Sequence, residues 1–207
     1  MDSFRGEGLR LMELIGQRAE LRLMNMEDIE VLYNLVQKNP NLWTYMVRKM
    51  DDLGDMEKLV IEALKNFDKG IELPFTVIDK VSNTIIGSTR LYDISFDRRT
   101  VELGSTFYDK SVQKTSINTE CKFLLLKHAF EQLNMVRVQI KTDIQNVGAQ
   151  RAIERIGGVK EGILRNERML HNGRIRDAVL YSITNNEWNV VKVKLEELLT
   201  KHYDKVK

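Results

Sequence analysis

The chain contains only one cysteine and three histidines, and both scarcities exclude classes of site. Since Cys121 stands alone, no internal disulfide framework can form, and a reducing compartment is the natural inference. The histidines at 128, 171 and 202 are scattered, so they make no cluster with the spacing of metal ligands. We therefore expect no metal site, and we assign Cys121 the role of a small buried apolar residue.

A strong charge of one sign and long apolar runs are also lacking. The chain has 32 basic and 30 acidic residues, a net charge of +2, and this balance gives no field that would attract nucleic acid or a membrane surface. The aliphatic runs are far shorter than a membrane span, and the charged N-terminal stretch has no signal-peptide core. We expect a cytoplasmic protein with a small or locally charged ligand and with no nucleic-acid or membrane partner.

What remains is the composition of a folded domain. The chain has 207 residues, of which 43% are hydrophobic and 30% are charged, which is enough to bury a full core. At this length one α/β domain over 1–207 with added helices is the default expectation.

The hydrophobic periodicity of the first half changes once. Apolar spacing predicts a strand at 19–24 and a helix at 26–37, followed by helical segments at roughly 42–50 and 55–68. From Leu73 the period becomes two, which predicts a meander of three strands at 73–80, 84–94 and 99–108.

The second half alternates between the two periods. It predicts a long helix at 117–133 that is covered on most sides, a strand at 136–143 and a helix at 146–158. The Asn172-Gly173 pair predicts a hairpin that joins about 159–170 to 174–184, and an amphipathic surface helix follows at 186–204. Because a strand, a helix and a strand in succession favour a parallel pair, we expect a mixed sheet.

The loop between the third meander strand and the long helix is a candidate anion site. The first amides of a helix have no intrahelical partner and lie at the positive end of its dipole. Small side chains leave these amides accessible, at Thr115, Ser116, Asn118 and Thr119. Alternatively, Ser116, Asn118 or Thr119 is an ordinary helix cap, with Glu120 placed favourably in the first turn. Both roles can hold together.

Four pieces around this loop carry a resemblance to a known family. They are ELG at 102–104, the helix end HAFEQL, VRVQIKTDIQN closing at Asn146, and AQRAIERIGG after it. In this order they resemble the GNAT N-acetyltransferase superfamily, specifically the branch that includes the ribosomal-protein N-terminal acetyltransferases. The resemblance covers about 17–188 and implies the GNAT α/β fold, a central mixed sheet flanked by helices, with the helix 186–204 added.

The resemblance implies an acetyl-CoA-dependent N-acetyltransferase without a metal, in which a primary amine attacks the acetyl thioester directly. The acceptor stays open among a protein N-terminus, a polyamine, an antibiotic amine and a small metabolite. Dimerisation is common in the family, so a homodimer also stays open. A catalytically silent acyl-CoA-binding sensor is the alternative function, and an adaptor that docks a partner through its charged C-terminal helix is a third.

The resemblance also implies which residues bind the cofactor. The family loop reads Gln or Arg, two residues, Gly, one residue, then Gly or Ala, and its amides bind the pyrophosphate of coenzyme A. Gln113 matches, whereas Ser116 and Asn118 stand at the two small positions. The loop set is Gln113, Lys114, Thr115, Ser116, Ile117, Asn118 and Thr119. Asn146 is expected to bind the pantetheine arm and Arg151 a phosphate.

The implied catalytic residues come from the strands. Glu102 is the expected base, acting through water, and a backbone amide near Phe107 or Tyr108 is the expected donor to the thioester oxygen. Many members protonate the departing thiolate with a tyrosine seven residues after the asparagine, but Ile153 stands there. Tyr181 and Ser182 on the last strand are the candidate substitutes.

Overall fold

The computed structural model describes residues 13–113 and 115–203, and within them one sheet of eight strands is flanked by five α-helices. The strands are β1 (Glu13–Ile15), β2 (Ala19–Leu23), β3 (Glu72–Asp79), β4 (Thr84–Ser95), β5 (Thr100–Tyr108), β6 (Arg137–Asp143), β7 (Val159–Met169) and β8 (Ile175–Thr184). The helices are α1 (Asp28–Lys38), α2 (Leu53–Asp68), α3 (Ile117–Lys127), α4 (Val147–Arg155) and α5 (Asn185–Tyr203), and a π-helical turn, His128–Gln132, extends α3.

The strand order across the sheet is β1-β2-β3-β4-β5-β6-β8-β7. Every neighbouring pair is antiparallel except β5 and β6, which are parallel and are connected through α3. This arrangement confirms the predicted α/β fold with a mixed sheet, and it confirms that the helix after the meander crosses between parallel strands.

The two parallel strands pair over only three residues each, from Thr100 opposite Arg137 to Glu102 opposite Gln139. Both strands continue beyond this point, β5 to Tyr108 and β6 to Asp143, without further pairing to each other. Their facing edges therefore separate and leave an opening in the middle of the sheet.

A β-bulge in β5 lies beside this opening. Ser88 of β4 pairs with Phe107 and Arg90 pairs with Gly104, so two residues of β5, Ser105 and Thr106, face one residue of β4. Ser105 takes a positive φ of 47°, which non-glycine residues adopt rarely and mostly where the chain is held by its surroundings. The bulge turns the end of β5 away from the regular ladder.

Helices cover the two faces of the sheet. The larger core lies between the sheet and α3 with α5, and it buries Ile117, Cys121 and Leu125 of α3. A second cluster forms under α1 and α2 and includes Trp43 and Phe107, whose rings meet edge to face at 5.3 Å. The long helix is thus covered on most sides, as its broad apolar surface predicted.

The predicted helix at 42–50 is wrong. Pro40–Trp43 forms a short 3₁₀ turn, and the chain then bends until Asp52, whose side chain accepts from the Asp55 amide at 2.9 Å and begins α2. The indole N–H of the buried Trp43 donates to the Arg48 carbonyl at 2.6 Å, and this local side-chain bond closes the segment as a loop.

The short strand β1 was not predicted, because three residues carry too little periodicity. The hairpin at Asn172-Gly173 is confirmed, with Gly173 at φ 80°, which a glycine adopts without strain. In the two described stretches, every helix is too short or too polar to cross a membrane.

Candidate active site

A cleft of about 900 Å³ lies where β5 and β6 separate. The ends of both strands, the start of α3, the α4 side and the loop around Trp43 line it. Six predicted site residues meet there: Glu102, Phe107, Tyr108, Gln113, Asn118 and Asn146. The fold therefore brings together predicted residues from segments that lie up to 44 positions apart in the chain.

The other predicted residues are placed differently. Lys114 lies outside the described residues. Thr115, Ser116, Ile117, Thr119, Arg151 and Tyr181 are not among the residues that line the cleft. Ile117 is buried in the core, and Thr119 is buried with its hydroxyl accepting from Arg155 at 3.2 Å.

The start of α3 leaves backbone donors free. Ser116 occupies the cap position but makes no capping bond through its side chain, which is mostly buried. The Ile117 N–H donates to the Thr115 hydroxyl at 3.3 Å, and the Glu120 N–H donates to the Ser116 carbonyl at 2.9 Å. Between them, the N–H groups of Asn118 and Thr119 have no hydrogen-bond partner within the described part of the chain. Such amides suit an anion.

Asn146, which was predicted to bind the pantetheine arm, is the N-cap of α4. Its side-chain oxygen accepts from the Ala149 amide at 3.0 Å and begins α4, and the residue also lines the cleft. The cap fixes Asn146 at the end of the cleft opposite β5, where contact with a bound ligand stays a prediction.

Three donors hold the carboxylate of the buried Glu102. The Tyr92 hydroxyl donates to Oε1, Gln139 Nε2 donates to Oε2 at 2.9 Å, and Lys141 Nζ lies 2.8 Å from Oε2. Burial and the neighbouring Glu102 raise the pKa of Tyr92 well above its usual value, so this hydroxyl stays a donor. A carboxylate accepts about four hydrogen bonds, so one position on Glu102 remains for water.

Most other acidic side chains that line the cleft also have cationic partners. Glu72 accepts from Arg90 at 2.7 Å and from Asn66 at 3.0 Å. Asp143 and Glu62 pair with Arg174 and Arg48, respectively. The cleft wall therefore carries paired charges and little uncompensated negative charge.

Lys122 was not predicted as a site residue, although it lines the cleft from α3. Its side chain is buried, and Nζ donates to the Thr106 hydroxyl at 2.7 Å and approaches the Thr89 hydroxyl at 3.4 Å. Desolvation lowers its pKa to about 7. The signal in the sequence was a lysine inside a helix that was expected to be covered on most sides.

Tyr181 does not reach the cleft. Its buried hydroxyl donates to Glu154 of α4 at 3.0 Å, and burial raises its pKa to about 12. Ser182 is buried beside it and donates to Glu161 at 2.8 Å. Ile153, at the position of the family tyrosine, lines the cleft with an apolar side chain. Neither Tyr181 nor Ser182 is among the residues that line the cleft.

No three histidine, cysteine, aspartate or glutamate side chains of the described residues come together as ligands for a metal ion.

Known proteins share both the sequence and the fold of this chain. The model of the acetyltransferase (GNAT) domain matches residues 18–159. A probable N-acetyltransferase of Bacillus subtilis, YjcK, is 26% identical over 176 residues, which are 83% of this chain and 97% of that protein.

Solved structures agree with this match. A GCN5-related N-acetyltransferase from Brucella melitensis superposes with a TM-score of 0.83 at 25% identity, covering 94% of this chain and 87% of that one. Spermidine N-acetyltransferase from Vibrio cholerae, in complex with CoA and spermine, shares the fold with a TM-score of 0.71 at 23% identity, covering 84% and 99%. Proteins described as ribosomal-protein acetyltransferases from two Vibrio species share it as well. With the matched domain and the cleft between its parallel strands, the chain belongs to the GNAT acetyltransferase family and is an acetyltransferase.

Proposed function

We propose that this enzyme transfers the acetyl group of acetyl-CoA to a primary amine by direct attack of the amine on the thioester. The observation that carries the proposal is the separation of β5 from β6 beside free amides at the start of α3. The bound CoA in the Vibrio cholerae neighbour, which shares this fold, supports the same use of the cleft.

The residues present fit coenzyme A at both ends of the cleft. The N–H of Asn118, which lines the cleft, would donate to a phosphate oxygen at the positive end of α3, beside Gln113. Beyond Glu102, the facing edges of β5 and β6 have backbone groups that pair with no strand, so they can bond an extended amide-containing arm as an added strand would. Asn146 and a backbone amide near Phe107 complete the groups that would contact the cofactor.

Acetyl-CoA supplies an activated acyl group, and the chain must supply a path for the amine proton. A free α-amino group has a pKa of about 8 and a lysine of about 10.4, so either is largely protonated at neutral pH. Glu102 has one position left to hold a water that would accept this proton, while Tyr92, Gln139 and Lys141 fix the carboxylate.

Two further contributions come from the backbone and from confinement. An N–H near Phe107, in the part of β5 that follows the bulge, would donate to the thioester oxygen as negative charge develops. Holding amine and thioester together in the cleft can contribute on the order of 7–11 kcal/mol.

The charge of the cleft wall bears on the acceptor. A polyamine carries several positive charges, but the carboxylates of Glu62, Glu72 and Glu102 each face a cation of this chain. A protein N-terminus or a small amine with one charge needs less negative charge in the wall. We therefore place these two acceptors ahead of a polyamine.

Calorimetric titration of acetyl-CoA into three proteins tests the cofactor site. We expect the wild type and the control Val81→Trp to bind, because Val81 is 80% exposed at a remote turn. Asn118→Trp places a large ring at the start of α3, so it should lose binding while keeping its fold by circular dichroism. If neither the wild type nor the control binds acetyl-CoA, the proposal fails.

An acceptor screen then tests the activity. The enzyme is mixed with acetyl-CoA and one acceptor at a time, and release of the free thiol of coenzyme A is followed. The acceptors are peptides with different N-terminal residues, spermidine and small monoamines. We expect turnover with a peptide or a monoamine. Tight binding of acetyl-CoA without turnover on any amine would favour the acyl-CoA sensor instead.

A further inference from the structure

Lys122 is a buried cation that the proposed reaction has not yet used. It extends from α3 to the bulge of β5, where its Nζ donates to the Thr106 hydroxyl at 2.7 Å. Thr106 directly precedes Phe107, whose amide is a candidate donor to the thioester oxygen. The ammonium group is thus one hydrogen bond away from the strand segment proposed to hold the reacting group.

The groups that face Lys122 do not neutralise it. Its two hydrogen-bond partners are the hydroxyls of Thr89 and Thr106, which bond each other at 2.8 Å. The titratable neighbour of Lys122 is Cys121 of α3, which in turn interacts with Tyr108 of β5. Burial raises the pKa of the Cys121 thiol to about 12 and that of Tyr108 well above its usual value, so both are neutral near pH 7. Within the described residues, no carboxylate lies within ion-pair distance of this lysine.

Burial without an ion-pair partner disfavours the protonated form of a lysine, and a ligand with negative charge would stabilise that form. In the proposed reaction such charge develops at the sulfur of coenzyme A when the thioester breaks. The two positions considered for a proton donor to this sulfur do not supply one in the cleft. Ile153 is apolar, and the Tyr181 hydroxyl donates to Glu154 outside the cleft.

We propose that Lys122 donates a proton to the sulfur of coenzyme A as the thioester bond breaks, in place of the missing tyrosine. This role rests on the proposed function. The amine nitrogen forms the new C–N bond, and the C–S electron pair goes to sulfur. Sulfur takes a proton from Nζ and leaves as the thiol, while the proton of the amine passes through the water on Glu102 to solvent. Lys122 then regains a proton from solvent.

Two variants separate this role from a merely structural one. Lys122→Met keeps the length of the side chain and removes its charge, whereas Lys122→Arg keeps the charge. Lys127→Met is the matched control, because Lys127 is exposed on the same helix. We expect Lys122→Met to lower the single-turnover rate about 10²-fold, a loss typical of an acid catalyst, with acetyl-CoA affinity within about threefold of the wild type.

The pH profile identifies the titrating group. Lys122 acts when protonated and its pKa is lowered to about 7, so the wild-type rate should fall as pH rises through this region. Arginine stays protonated throughout the accessible range, so Lys122→Arg should keep part of the rate and lose the alkaline limb. An alkaline limb that persists unchanged in Lys122→Arg overturns the proposal.

A readout without turnover completes the test. The thiolate of bound CoA absorbs in the ultraviolet, and its titration gives the pKa of the bound thiol. We expect this pKa to lie below that of free CoA in the wild type and the Lys127→Met control, and to rise in Lys122→Met. An equal thiol pKa in all three proteins overturns the proposal, as does acetylation of Lys122 itself by mass spectrometry, which would make it the nucleophile. Failure of the wild type to bind CoA would instead refute the proposed function.

Discussion

Replacing Glu120 with alanine should destabilise the protein strongly, although this residue lies outside the cleft. Its carboxylate, in the first turn of α3, accepts hydrogen bonds from three consecutive amides of the turn between β1 and β2. The Gln17 amide donates to Oε1, the Arg18 amide to Oε2 at 3.1 Å and the Ala19 amide to Oε2 at 2.7 Å. This single side chain fixes the start of α3 to the end of the sheet.

The magnitude follows from the exposure of the three donors. A hydrogen bond to a charged group contributes about 1.5–3 kcal/mol, and the larger losses occur where the donor stays buried without a partner. Ala19 is fully buried, so its N–H would be orphaned, whereas Gln17 is exposed and Arg18 half-buried, so their N–H groups regain water. Full loss of the hydrogen bond from Ala19 and partial loss of those from Gln17 and Arg18 should lower the free energy of unfolding by about 3 kcal/mol in Glu120→Ala.

Urea unfolding followed by circular dichroism measures this loss. We expect a lower midpoint at an unchanged slope, and the exposed control Glu197→Ala should stay within about 0.5 kcal/mol of the wild type. Gly16→Ala supplies a second test, because a Cβ there would lie 2.4 Å from Glu120 Oε1. Its cost should shrink by about 1 kcal/mol when Glu120 is already alanine. A loss below about 1 kcal/mol for Glu120→Ala, or additive effects of the two changes, would refute the reasoning.

Three further predictions follow from other sites. Glu102→Gln should lower kcat about 10²-fold or more at an unchanged acetyl-CoA KM, and a loss under about threefold in steady-state assays would remove it as the base. The pKa of Glu161 is lowered to about 2, first by its hydrogen bond with Arg137. The ionised carboxylate therefore stabilises the fold above about pH 4.5, and this contribution is lost as the pH falls toward 2. Glu161→Gln should make the urea midpoint fall less steeply over this pH range. Gly87→Ala should lower the free energy of unfolding by more than about 3 kcal/mol, because at φ 155° a Cβ would lie 2.0 Å from the Phe107 carbonyl oxygen. Gly162→Ala, where a Cβ would meet no atom within 4 Å, should be nearly neutral, and thermal unfolding compares the two variants.

The sequence predicted the parts of the fold that local patterns encode. The change of period at Leu73 gave the meander, and the helix after it gave the crossover between parallel strands. The separation of β5 from β6 could not be predicted in this way, because a local pattern does not show where two neighbouring strands stop pairing, which here is after Glu102 and Gln139. The loop after Pro40 was misread for a related reason, since the indole bond of Trp43 competes with a helix that the pattern allows.

Glu120 and Lys122, the two charged residues whose roles the sequence predicted least well, lie two positions apart on α3. In a local pattern Glu120 is a favourable first-turn acid, and Lys122 is an ordinary helix lysine. Their hydrogen-bond partners lie 16 to 103 positions away in the chain, so only the fold shows that both are buried. Their burial is satisfied differently, because Glu120 accepts from three amides, whereas Lys122 donates to hydroxyls and has no carboxylate partner within the described residues. A buried ionisable group without an ion-pair partner in the described part of the chain is therefore the feature to test for contact with the substrate.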